Sequence, residues 1–140
     1  MLLFAILFSN NVHAEESTVK EIPGKSITLE SLEEMFQNIN QDTDWDTTQN
    51  MLWGFFFTHN ELSKLELAKE HLESQGYSFV RFFLGDKEDE SEADTFWLHV
   101  EKKESHDAKS LDARNDELYL FAHEMGIDSY DGMDVGPIDK

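Results

Sequence analysis

NMLWGFFFTHNELSKLELAKEHLESQGYSFVRFFLGD, residues 50–86, decides the fold. Its first part, NMLWGFFFT (50–58), is apolar at odd and even positions alike, the pattern of a central strand buried on both faces. Leu62, Leu65, Ala68 and Leu72 then recur at helical spacing and form one buried stripe. Thr58, with Glu61 three residues later, reads as a capping box that opens this helix. Gly76 takes the C′ role that ends it. YSFVRFFLGD (77–86) returns to strand composition. The stretch is therefore one β-α-β unit.

A second unit follows. KEDESEA (87–93) is a solvated acidic turn. TFWLHVEKKE (95–104) alternates, with Phe96, Leu98 and Val100 on one face and Thr95, Trp97, His99 and Glu101 on the other. Asp107 caps a helix carrying Leu111, Leu118, Phe121 or Ala122, and Met125, and Gly126 ends it. DSYDGMDVGPI (128–138) supplies a short closing strand. In it Gly132 permits a turn or bulge after Tyr130-Asp131, and Pro137 ends pairing because it has no N–H to donate. Upstream, TLESLEEMFQNI (28–39) puts Leu29, Leu32, Met35 or Phe36, and Ile39 on one helix face, with Thr28 as N-cap. Helix followed by β-α-β-β-α-β predicts an α+β, ferredoxin-like sandwich: a four-stranded antiparallel sheet with an extra N-terminal helix.

The chain has 140 residues, enough for one domain with a real core. Eleven Phe and three Trp supply that core. Thirty acidic residues against eleven basic ones leave a net charge of −19, which repels nucleic acid and anionic membranes and favours basic partners. Cysteine is absent, so disulfides, thiolate metal sites and Cys nucleophiles are excluded. MLLFAILF, followed by Val12 and Ala14, resembles the apolar and cleavage regions of a secretory signal, and it is too short to span a bilayer. Such a signal makes the protein periplasmic or secreted; an apolar tail on a cytoplasmic protein is the alternative. The expected organisation is a signal peptide over 1–14, a leader and amphipathic helix over 15–42, and the domain over 43–138.

No constellation supports catalysis or a cofactor. Asp42, Asp44 and Asp46 match the first positions of an EF-hand loop, but Thr47 stands where Gly is needed and Trp53 where Glu is needed. The aspartates of DSYDGMD are spaced by three, which fits no EF-hand register. His59, His71, His99, His106 and His123 form no HExxH pair, and GxSxG, P-loop and GxGxxG motifs are absent. GYSFVRFF (76–83) is close to the RNP1 consensus at Gly76, Tyr77, Phe79, Val80 and Phe82. Gln75 replaces the basic residue, Ser78 departs as well, the strand is the second rather than the third, and the charge opposes phosphate. Direct nucleic-acid binding is not expected.

The same aromatics suggest a contact surface. Phe79 and Phe83 on the second strand, with Trp97 and His99 on the third, are expected to share the sheet face away from the helices. Segment 28–39 is expected to cover that face, the alternative being a partner. Trp45, Phe79, Phe83, Trp97, His99, Tyr130, Asp131 and Asp134 are the candidate partner contacts.

TDWDTTQNMLWGFFFT (43–58), LESQGYSFVRFFL (72–84), FWLHVEKKESH (96–106) and SLDARNDELYLFAHEMGIDSYDGMDVGPI (110–138) together resemble the regulator of ribonuclease E activity B family. SLDARNDELY and YDGMDVGP are the most specific parts. The resemblance implies a ferredoxin-like sandwich with an acidic surface and no catalysis, which binds ribonuclease E, or a similar basic protein, and inhibits it. An acidic domain on a basic, largely disordered nuclease tail is electrostatically sensible. An exported ligand- or protein-binding domain of the same fold, unrelated to ribonuclease E, is the alternative.

Overall fold

The computed structural model describes residues 21–138 with their side chains, and residues 4–7 as backbone. The elements run β1 (Phe4–Leu7), α1 (Leu29–Asp42), β2 (Met51–His59), α2 (Leu62–Ser74), β3 (Ser78–Leu84), β4 (Phe96–Glu104), α3 (Ala108–Met125) and β5 (Ser129–Gly136). The sheet order is β1-β5-β2-β4-β3, antiparallel throughout. Strands β5-β2-β4-β3 are the four expected ones in ferredoxin-like order. To them Phe4–Leu7 adds an edge strand on β5. Most of the expected signal segment 1–14 lies outside the described residues.

Local chemistry explains most boundaries. Thr28 caps α1, accepting from the Ser31 amide while Ser31 Oγ accepts from the Thr28 amide. Asp107 and Ser110 do the same for α3. Gly76 (φ +96) and Gly126 (φ +70) take the left-handed conformations that stop α2 and α3. Helix α2 departs from the expected capping box. Thr58 is still in β2, where its hydroxyl meets Ser129 Oγ at 2.7 Å, and Glu61 is the N-cap without a side-chain bond. Strand pairing with β5 claimed Thr58 before the helix could.

All three helices lie on one face of the sheet. Trp53, Phe55 and Phe57 of β2 point there and are fully buried, with Leu98, Val100, Met133 and Val135 from the neighbouring strands. Leu32, Met35 and Ile39 of α1 complete that same core. The Phe36 ring lies 6.0 Å from Trp53, and Phe121 of α3 lies 5.9 Å from Phe57. Tyr119 of α3 accepts hydrogen bonds from the amides of Ser26 and Ile27, and Lys25 bridges Asp112 and Asp116. These contacts anchor α1 beside α3. The expectation that segment 28–39 covers the opposite face is therefore wrong: the apolar stripe of α1 found a partner in the helix layer.

Two bulges set the register. Between β5 and β2 the pairing passes from Tyr130↔Phe57 to Gly132↔Phe56, leaving Asp131 as the extra residue. Gly132 (φ +116) makes this bulge, as its sequence position suggested. Between β3 and β4 the pairing passes from Phe79↔Val100 to Arg81↔His99, leaving Val80 extra. The strand β5 stops at Gly136, before Pro137.

Candidate functional site: the open face of the sheet

The face away from the helices is built from the alternate residues of each strand. Cross-strand pairing places Asp134, Gly54, Glu101 and Ser78 in one row. The next row holds Gly132, Phe56, His99 and Arg81, and the one after it Ser129, Thr58, Trp97 and Phe83. Phe56 stacks on His99 at 4.3 Å between ring centroids, and Phe83 stacks on Trp97 at 5.6 Å. The Arg81 guanidinium lies 4.4 Å over the Phe83 ring. All five side chains are partly or fully open to solvent.

Gly54 sits in the middle of the acid row. A Cβ there would overlap Asp134 Oδ1 and lie 2.7 Å from His99 Nε2. The missing side chain thus lets both groups lean over the strand. Burial pushes the Asp134 carboxyl above its ordinary range; a hydrogen bond from the Gly54 backbone opposes this, and the neighbouring Glu101 charge adds to it. Burial, reinforced by the Arg81 charge, lowers the basicity of His99, which keeps that ring neutral near pH 7. Asp131 in the bulge is likewise raised by burial, against a hydrogen bond from Ser129 Oγ at 3.0 Å.

Of the eight candidate contacts, this face brings together Phe83, Trp97, His99, Asp131 and Asp134. Phe79 is a correction. The Val80 bulge turns it to the helix side, where it meets Phe82 at 4.9 Å and lies under Lys69 Nζ. Tyr130 is also on the helix side, 2 % exposed, and donates from its hydroxyl to Asn115 Oδ1 at 2.6 Å. In this conformation it cannot touch a partner. Trp45 is half-buried against the core in the α1–β2 loop, away from the face. Sequence reasoning missed Phe56, Gly54 and Arg81, and it placed Glu101 on this face without naming it a contact. Phe56 has the opposite parity to Phe55 and Phe57, and a glycine inside a strand signals close approach, so both were detectable.

The opposite, helix-bearing side is strongly acidic. Exposed acids include Glu30, Glu33 and Glu34 on α1 and Glu66, Glu70 and Glu73 on α2, and Asp86, Glu88, Asp89, Glu90, Glu92 and Asp94 crowd the β3–β4 loop. Many bases are tied internally. Lys69 pairs with Glu73, Lys87 with Asp94, and Arg114 with Glu104 and Glu117. Lys64 and Lys102 donate to the carbonyls of Met125 and Gln75.

Among the described residues, no three His, Asp or Glu side chains converge as a metal site. Nor is any helix among them long and apolar enough to cross a membrane. No curated protein matches the chain. The family model described as Regulator of ribonuclease activity B matches residues 29–135, from the start of α1 almost to the end of β5. Spanning most of the chain and the whole four-stranded core with its three helices, that match shows that the protein belongs to the regulator of ribonuclease activity B family.

Proposed function

We propose that the protein is a non-catalytic regulator that binds a basic segment of a ribonuclease, ribonuclease E by family resemblance, and inhibits it. The observation that carries this reading is the net charge of −19 on a family member whose lysines and arginines are largely engaged within the fold. The field outside the molecule is then negative, and it accelerates encounter with a basic chain. Inhibition by occupying such a segment needs no chemistry from the regulator. The family assignment supports a protein partner, and the charge supports its sign. A cytoplasmic location follows from this reading.

The test is binding of the purified protein to purified ribonuclease E across ionic strength. Binding is expected at low salt, with RNA cleavage suppressed, and affinity should fall as salt screens the charges. No retention at low ionic strength would refute the reading.

One sequence observation favours a second reading. The apolar run MLLFAILF with Val12 and Ala14 fits an exported protein, which would meet an envelope partner instead. N-terminal sequencing of fractionated native protein decides between them: a mature start at Glu15 in the exported fraction supports export, and an intact Met1 in the cytosol ends it.

A further inference from the structure

We propose that the slot between α1 and the outer edge of β5 is a strand-binding site, held in this structure by the chain's own Phe4–Leu7 and able to take an extended partner segment with apolar residues at alternate positions. This goes beyond the ribonuclease reading and does not depend on it.

Three observations converge on the slot. The first is occupancy. β1 pairs antiparallel with β5 through Phe4↔Val135, Ala5↔Asp134, Ile6↔Met133 and Leu7↔Gly132, with no shift of register. The outer backbone groups of β5 therefore accept an added strand. The family match begins at residue 29, so this fifth strand is an addition to the matched core.

The second is the roof. α1 packs on α3 and also on β1, so it overhangs the β5 edge and closes the slot from the helix side. α1 is anchored by Lys25 on Asp112 and Asp116, and by the Ser26 and Ile27 amides on the Tyr119 hydroxyl. None of these anchors involves β1, so the slot outlasts its resident strand.

The third is the chemistry along the slot. Met133 and Val135 lie on the helix side of β5 and are fully buried. The register sets Phe4 and Ile6 in their rows, and Ala5 and Leu7 in the rows of Asp134 and Gly132 on the open face. A strand entering the slot thus needs apolar residues at every second position and is less constrained at the others. Its backbone supplies affinity and its alternate positions supply selectivity. The other sheet edge differs: the ladder of β3 is interrupted at Val80, and among the described residues no strand sits outside it. Residues 1–14 resemble an export signal. Their removal would leave the outer groups of β5 unpaired, and a partner segment would satisfy them; in the unprocessed chain that segment competes with the resident.

The test uses the isotopically labelled full chain and, as probe, a synthetic peptide of residues 1–16. Consecutive amides of a strand point to opposite sides, so Ala5→Pro/Ile6→Pro removes whichever one serves β5. Amide exchange at alternate positions of Gly132–Val135 should rise about tenfold or more in this variant. The peptide should bind the variant, shift β5 and α1 resonances in NMR, and restore slow exchange. Wild type should bind it about tenfold more weakly, because a tethered resident at about millimolar effective concentration competes with a peptide affinity of about 100 μM. The peptide carrying both prolines should not bind. A second variant covers the case in which the prolines unfold the chain. Ala5→Cys/Asp134→Cys joins register partners in a chain that has no other cysteine; oxidised, it should reject the peptide, and reduction should restore wild-type binding. Unchanged β5 exchange in the proline variant, equal peptide affinity for variant and wild type, or binding to the oxidised lock would overturn the proposal. A proline variant that dimerises through β5 would give the slot to a second copy and overturn the assignment to a partner.

Discussion

Phe55 and Phe56 are consecutive residues of one strand and meet different surroundings. Phe55 is fully buried and packs between Tyr77 and Tyr130 under the helices. Phe56 lies half-exposed on the other face, stacked on His99. The acids divide in the same way. Glu104, at the end of β4, receives two bonds from Arg114 at 2.7 and 2.9 Å and one contact from His106 at 2.5 Å. Asp134, two strands away on the open face, has burial and a like-charged neighbour instead. One side of the sheet satisfies its groups internally, and the other leaves aromatic and acidic groups partly exposed. Buried packing is concentrated on the first.

The sharpest way to break this contrast is alanine at the paired phenylalanines. Phe55→Ala should cost about 3–5 kcal/mol of stability in urea unfolding, because a cavity opens in the core. Phe56→Ala should cost about 1–2 kcal/mol, the value of partly exposed apolar surface. Equal losses would mean that the open face is structural.

Tyr130→Phe comes next. It removes the hydroxyl that satisfies fully buried Asn115, so a loss of about 1–3 kcal/mol is expected in the same measurement. A neutral effect would show that Asn115 finds another partner.

Glu104→Gln should cost about 1–2 kcal/mol at pH 7. Burial opposes ionisation of Glu104, but Arg114 and His106 outweigh it and hold the carboxyl below its ordinary value of 4.5. A carboxyl lowered in the folded state stabilises above the unfolded value and loses that contribution as pH falls through the folded one. The gap between wild type and variant should therefore close in acid. A gap independent of pH would place the effect in packing.

Asp134→Asn should give the smallest change and the opposite sign, a gain of up to about 1 kcal/mol at pH 7. Its folded carboxyl is raised above 3.8, so ionisation works against folding, and the penalty develops as pH rises from the unfolded value through the folded one. Below the unfolded value the gain should vanish. A variant more stable than wild type would tie the raised Asp134 carboxyl to a cost in folding. A destabilised variant would make Asp134 a structural residue.

Much of this was legible in the amino-acid order. Asp107, Gly76, Gly126, Thr28 and the Gly132 bulge acted where their chemistry placed them, because caps and glycine conformations are decided within a few residues. Phe83, Trp97 and His99 fell on one face as alternation required. Phe79 did not, since a single extra residue at Val80 inverts parity upstream of it, and nothing in YSFVRFF marks that bulge. The packing over Gly54 was less legible. Gly54 announces a close approach but not what approaches; Asp134 and Glu101 are more than thirty residues apart in the chain.

By itself, then, the sequence determined the order and type of the elements from α1 onward, the family, and the sign of the charge. Periodicity, capping and composition are short-range or additive, and they need no knowledge of neighbours in space. The tertiary structure alone decided that α1 joins the helix layer, that Tyr130 reaches Asn115, and that two carboxylates flank Gly54. Those outcomes depend on register and on which apolar stripe finds which surface, and both are settled by competition among contacts distant in the chain.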